Sequence, residues 1–212
     1  MWVNVLHTVT GQVGAADARL VIVSNFSSGW FLNLSNGNKA MAAAIYRVGP
    51  ASVVSPTFTV TAGMVGKLLS THIVYDVAGA VLRHYTQAVE NGSGTAVASA
   101  YIPPLSSLRM AVGAQTGGSA PASQNVIHGI VGGDGFVPTA GEITANYAAQ
   151  QAAVAAGTDP MIAIPGKTTY LRNFNSPWTG TYVPSPGTGT LSGYAGTATN
   201  IPLVTNAAPT WA

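Results

Sequence analysis

Six carboxylates and four imidazoles make up the chain's stock of acid–base groups in 212 residues: Asp17, Asp76, Glu90, Asp134, Glu142 and Asp159, with His7, His72, His84 and His128. Glycoside hydrolysis needs two carboxyl groups, about 5–5.5 Å apart for retention or about 6.5–9.5 Å for inversion. Asp134 and Glu142 are the nearest two in sequence, and Glu142 already has a place three residues after Thr139, where it closes a helix capping box. Asp76 opens a turn, Asp134 sits within Gly132-Gly133-Asp134-Gly135, and Asp159 precedes Pro160. Only distant acids brought together by the fold could form a catalytic pair. The histidines show neither His-x-His nor His-x-x-x-His spacing for a metal. His72 and His84 fall on neighbouring strands and are expected to face each other as a cross-strand pair rather than to ligate. No Gly-x-Ser-x-Gly elbow is present. Gly166-Lys167-Thr168 mimics the end of a phosphate loop, but Met161 stands where its first glycine is required. Asn125 with Asp134 is the best oxygen pair for calcium, too sparse for a site. No catalytic residue, metal or cofactor is expected.

The elements that would position these groups are short strands divided by turn chemistry. Arg19–Phe26 and Gly29–Leu34 are separated by Ser27-Ser28, Met41–Val48 ends at Gly49-Pro50, and Thr57–Thr61 ends at Ala62-Gly63. Lys67–Asp76 and Ala80–Gln87 form the clearest pair, joined by Asp76-Val77-Ala78-Gly79, with Asp at the opening and Gly where the chain reverses. Thr95–Ala100, Ser107–Gly113 and Val126–Val131 complete a pattern of an antiparallel sandwich. A single helix over 139–156 interrupts it. Thr139 caps it, Ile143 and Tyr147 give it one apolar edge, and Gly157 stops it. Residues 158–212 are rich in Pro, Gly, Thr, Ser and Asn, yet Tyr170, Phe174, Trp178, Tyr182, Tyr194 and Trp211 recur through them. A flexible linker carries few aromatics. The expectation is a sandwich over 1–157 and an extended assembly arm over 158–212, docked on a second subunit in preference to its own sandwich.

Only 7 % of residues are charged, against roughly 25 % in ordinary soluble domains. Hydrophobic residues reach 47 %, which excludes disorder over the whole length. The apolar runs Leu20–Val23 and Met41–Ile45 are far shorter than the ~20 residues of a membrane span. Eight Lys and Arg cannot build a phosphate-tracking stripe, so nucleic acid is not an expected partner. There is no cysteine, and Met1-Trp2-Val3-Asn4 does not read as a secretory leader. So neutral a surface offers little repulsion between copies and suits a protein covered by neighbours in an assembly, or an extracellular domain with a polar coat.

The stretch from His72 to Ala149 resembles the concanavalin A-like lectin/glucanase superfamily, in particular its laminin-G-like branch. The likeness is carried by His72-Ile73-Val74-Tyr75-Asp76 with Val81-Leu82-Arg83-His84-Tyr85, by Leu108–Ala114, and by Ile127-His128-Gly129-Ile130 leading to Pro138-Thr139-Ala140-Gly141-Glu142-Ile143 and Tyr147. Gly29–Leu34 fits a front strand of that family more loosely. Where the family often has Asn-Gly after the second hairpin strand, this chain has Gln87-Ala88. The resemblance implies a two-sheet jelly roll used for glycan binding, adhesion or assembly, and in some branches for hydrolysis. The glucanase branch carries Glu-x-Asp-x-x-Glu on one strand, a pattern absent here.

Glycan binding needs aromatic faces beside amides and hydroxyls, and Trp30, Tyr46, Tyr85 and Tyr101 are the candidates. The Asn-x-Ser triplets at Asn25, Asn33 and Asn91 are read as chance matches in an Asn- and Ser-rich chain. The leading expectation is a non-enzymatic structural protein of a virion, such as a bacteriophage decoration, fibre or spike component. Its partners would be other copies of itself, other particle proteins and surface glycans. The alternative is a secreted or cell-surface carbohydrate-binding module, and the third a divergent glycoside hydrolase.

Overall fold

The computed structural model describes residues 1–9, 18–24, 28–34, 40–47, 53–64, 66–97, 109–112, 125–133, 135–173 and 210–211. In chain order the strands are β1 (Trp2–Val9), β2 (Ala18–Ser24), β3 (Ser28–Leu34), β4 (Ala40–Arg47), β5 (Val53–Val54), β6 (Phe58–Thr59), β7 (Lys67–Asp76), β8 (Val81–Thr86), β9 (Val89–Glu90), β10 (Thr95–Ala96), β11 (Arg109–Val112) and β12 (Asn125–Gly133). Helix α1 (Ala140–Ala155) follows, then β13 (Tyr170–Asn173) and β14 (Thr210–Trp211). One sheet runs β10-β8-β7-β1-β12-β13, with β9 on β8 and β14 on β7; the other runs β11-β2-β3-β4-β5, with β6 on β4. The fold is an all-β, two-sheet sandwich of jelly-roll type with one short helix towards its C-terminal side. Among the described residues its ladders are antiparallel apart from the parallel contact of β14 with β7.

Alternation along the strands divides the interior in two. Met1, Val3 and Val5 of the first strand region join Leu69, Ile73 and Tyr75 of β7 and Met41 and Ala43 of β4 between the sheets. The opposite set, including Trp2, Leu6, Leu68, Val74 and Tyr85, faces Ile143 of α1 and Met161 and Ile164. β1 is therefore covered on both faces, its polar Asn4, His7 and Thr8 included, and it lies between β7 and β12. Each fully buried Leu or Ile contributes about 1.5–3 kcal/mol. The strand segmentation expected from turn residues agrees with β2–β4, β7, β8 and β12 to within a few residues. β1 was not anticipated.

The β7–β8 hairpin forms as expected. Asp76 Oδ1 accepts from the Gly79 amide at 2.9 Å, and Ala80 takes the left-handed conformation, φ +49°. Register then corrects one expectation. Asp76 pairs with Val81, so His72 lies opposite Tyr85 and His84 opposite Ile73. The two histidines are one position out of step and occupy opposite faces of the sheet, because a single-residue offset exchanges the faces.

The capping box at α1 is present. Thr139 Oγ1 accepts from the Glu142 amide at 3.2 Å, and Glu142 Oε2 accepts from the Thr139 amide at 2.7 Å. The buried stripe of the helix differs from the expected apolar edge: it is Ile143, Asn146, Gln150 and Ala153, with Tyr147 only half-buried.

Part of the segment expected to reach a second subunit lies on its own sandwich. Met161 and Ile164 are buried against β1 and β7, and β13 pairs with β12 through Tyr170 opposite Gly132. Trp2 Nε1 donates to the Lys167 carbonyl at 2.7 Å. Gly133 permits this approach, since a Cβ there would collide with the Lys167 carbonyl oxygen. Trp211 lies in β14 on β7. Phe174, Trp178, Tyr182 and Tyr194 lie outside the described residues.

Candidate functional site

Each described carboxylate has a place in the scaffold. Asp76 holds the hairpin turn, and Asp159 Oδ1 accepts from the Met161 amide at 2.8 Å. Glu90 pairs with Arg83 at 2.7 Å, and Glu142 pairs with Lys167 at 2.7 Å while capping α1. The Lys167 ammonium, followed by the Thr139 amide and hydroxyl, draws the Glu142 carboxyl down to about 2. Among the described residues no three His, Cys, Asp or Glu side chains cluster as a metal centre would require. Asp17, Asp134 and the Asn125 side chain lie outside the described residues, and with them the oxygen pair weighed and set aside for calcium.

Among the described residues, chemistry-bearing side chains are densest beneath α1, on the outer face of the larger sheet. Asn4, Ser70, His72, Asn146 and Gln150 are all buried there. Asn4 Nδ2 donates to Ser70 Oγ at 2.8 Å, Ser70 Oγ donates to Gln150 Oε1 at 2.7 Å, and Gln150 Nε2 donates back to Asn4 Oδ1 at 2.8 Å. His72 extends this ring. Its Nδ1 stands 3.3 Å from Asn4 Nδ2, and its Nε2 stands 3.2 Å from Asn146 Oδ1. An amide nitrogen can only donate and an amide oxygen only accept, so the network assigns the Nε2–H tautomer. Asn146 Nδ2 in turn donates to the Ile162 carbonyl at 2.8 Å. Trp2 stacks on the imidazole, centroids 6.3 Å apart and planes 16° from parallel.

Burial pushes His72 down to about 4, against the opposing pull of the Asn146 hydrogen bond. His72 is therefore neutral near pH 7. Its Nε2 is bonded to Asn146, and its Nδ1 faces an amide nitrogen whose two hydrogens are shared with Ser70 Oγ and the Thr71 carbonyl. The arrangement locks a helix to a sheet.

The remaining histidines stand apart from it. His7 Nε2 is 3.1 Å from Thr71 Oγ1. His84, opposite Ile73 on the face between the sheets, has Nδ1 3.4 Å from the Pro56 carbonyl. His128 occupies a β-bulge where the β1–β12 register slips between Leu6 and His7, with Nε2 2.8 Å from Thr8 Oγ1. Burial lowers both His84 and His128 to about 4.

The four aromatic candidates do not come together. Tyr85 is 4 % exposed and packs in the cluster beneath α1, so its ring offers no open face for a sugar. Tyr101 lies outside the described residues. Trp30 pairs with Ile45, in the alternate set of β4 that includes the core residues Met41 and Ala43. Tyr46 pairs with Gly29, in the other set. That set includes Ala44, whose β5 partner Val54 is 47 % exposed, and Ala42, which lies opposite Asn33 and is buried. Phe31 and Asn33 of β3, with Ile22 and Ser24 of β2 and Arg109 of β11, take register positions in the same set. Sequence reasoning missed Phe31 and the amide stripe Asn146 and Gln150. The second had a signal, two amides at i and i+4 in an alanine-rich helix.

No protein family and no curated protein matches this chain. Among solved structures it is similar to the native heptameric SAP-like pentraxin from Limulus polyphemus, at 6 % identity and a TM-score of 0.48, over 68 % of this chain and 67 % of that one.

Proposed function

We propose that this chain is a non-enzymatic, lectin-like recognition module of a secreted or cell-surface protein, and that it contacts carbohydrate on the outward face of its six-stranded sheet. The observation that carries the reading is the register of that sheet, which gathers Phe31, Tyr46, Ser24, Asn33 and Arg109 into the alternate set shared with the exposed Val54. Aromatic faces take the C–H faces of a sugar ring, while amide, hydroxyl and guanidinium groups bond its hydroxyls. Gly29 opposite Tyr46 adds no side chain beside the ring position. The engagement of every described carboxylate in the scaffold supports binding over hydrolysis.

Affinity electrophoresis through gels cast with neutral polysaccharides, paired with an assay for released reducing ends, tests the reading. Retardation without release is expected. Release of reducing ends would favour a hydrolase instead, and unchanged mobility in every gel would contradict the proposal.

A second reading, a structural component of a virion, rests on the sparse charge, 7 % of residues, which suits a surface covered by neighbours. A fixed copy number in purified particles would favour it.

A further inference from the structure

We propose that the edge of β7 at Lys67–Leu68 is a strand-acceptor site, and that it takes the Thr210–Trp211 strand of a second copy of this chain in exchange for its own. The site exists because β8 is shorter than β7. Their ladder ends with Thr71 opposite Thr86, followed by one further bond from the Gln87 amide to the Ser70 carbonyl at 2.8 Å. Gln87 and Ala88, at φ +51° and +62°, then turn the chain back into β9. Lys67 and Leu68 are left projecting past β8, while β1 pairs with Leu68 along the other side through Thr8. β14 fills this edge, in parallel, with Thr210 opposite Lys67 and Trp211 opposite Leu68.

The occupant seen in one chain defines the occupant expected from another. Residues 174–209 connect β13 to β14. At about 3.3 Å per residue, a stretch of that length spans on the order of 100 Å when extended. β7, with 10 residues, is about a third as long at the same rise. Reach therefore does not confine the donor to its own acceptor. The backbone contacts are the same whichever chain supplies the strand, so the balance is set by the connecting segment and by concentration. The effective concentration of a tethered strand falls as its connecting segment lengthens, so a crowded or locally assembled protein can compete with it. With 7 % of residues charged, copies have little repulsion to overcome. Mutual exchange closes as a twofold pair, each chain giving and taking one strand. It does not depend on what the outward face of the other sheet binds.

The chain contains no cysteine, so introduced thiols report a unique pairing. Chains carrying K67C alone and T210C alone are incubated together over a range of concentrations and oxidised. Exchange gives a disulfide-linked heterodimer whose yield rises at least tenfold from micromolar towards millimolar protein. Light scattering on the unsubstituted chain gives a dimer that is lost when residues 210–212 are removed. The double variant K67C/T210C closes its own disulfide in dilute solution, which checks that the substitutions preserve the pairing. A mixture that stays monomeric at every concentration, a dimer that survives removal of the tail, or failure of the double variant to close would each overturn the proposal.

Discussion

His72 Nε2 and Asn146 Oδ1 stand 3.2 Å apart and tie the outer face of β7 to α1. The bond requires a neutral imidazole with its proton on Nε2, because Nδ1 is turned to the Asn4 amide nitrogen, which has only hydrogens to give. The helix is thus held by a directional polar seam within an apolar interface. Such a seam fixes which residues of α1 face the sheet, and it makes any unpaired member costly.

Acid should loosen the fold in a defined window. His72, His84 and His128 lie near 4 when folded, against 6.5 when free. A depressed folded pKa means that the unfolded chain binds the proton first. The stability these groups contribute is therefore complete above about pH 6.5 and is lost as pH falls towards 4, by on the order of 3 kcal/mol for each histidine. Glu142, held near 2, contributes to acid loss only below its free value of 4.5. Denaturant melts between pH 7.5 and pH 4 should show a steep fall, and a flat profile would contradict buried neutral histidines.

Gln150→Ala should cost about 2–4 kcal/mol, because it strands both the Ser70 hydroxyl and Asn4 Oδ1 in a buried site. A double-mutant cycle with Asn4→Ala should give a coupling above about 0.5 kcal/mol. Additive losses would mean that the ring does not act as a unit.

Gln87→Asn combined with Ala88→Gly should raise stability by about 1 kcal/mol. Both residues hold positive φ in a two-residue hairpin loop between β8 and β9, the geometry for which Asn-Gly is preferred. Equilibrium unfolding checks this, and a loss of stability would mean that the Ala88 methyl, which packs beside the cluster beneath α1, outweighs the strain.

Gly133→Ala should be among the most damaging small substitutions, at about 1–3 kcal/mol. The added methyl would occupy the space of the Lys167 carbonyl and lie 2.9 Å from Trp2 Nε1, breaking the bond between them. A melt within about 0.5 kcal/mol of the parent would contradict that close approach.

Punctuation made much of this fold readable. Asp76 and Gly79 mark a turn whichever way the chain packs, and Thr139 with Glu142 marks a helix start, since both act through neighbouring backbone amides. β1 was less legible. Its polar residues Asn4, His7 and Thr8 are all buried, so no polar-out alternation marks it as a strand. The offset between His72 and His84 depends on a turn one residue longer than the Asp-to-Gly signal implies, and that residue is Ala80 at positive φ. The polar seam was hidden for a related reason. Asn146 and Gln150 look like ordinary solvated helix residues until β1 and β7, far off in sequence, supply His72 for the first and Asn4 and Ser70 for the second. Of the aromatic candidates, only register could separate Tyr46 from the buried Tyr85.

The proposed contact of carbohydrate with the outward face of the six-stranded sheet is tested by a glycan array probed with the parent chain and with Tyr46→Ala and Phe31→Ala. A defined set of bound glycans is expected for the parent, with signal reduced at least tenfold in both variants while their melts stay within about 1 kcal/mol of the parent. No binding by the parent, or binding undiminished in both folded variants, would contradict it.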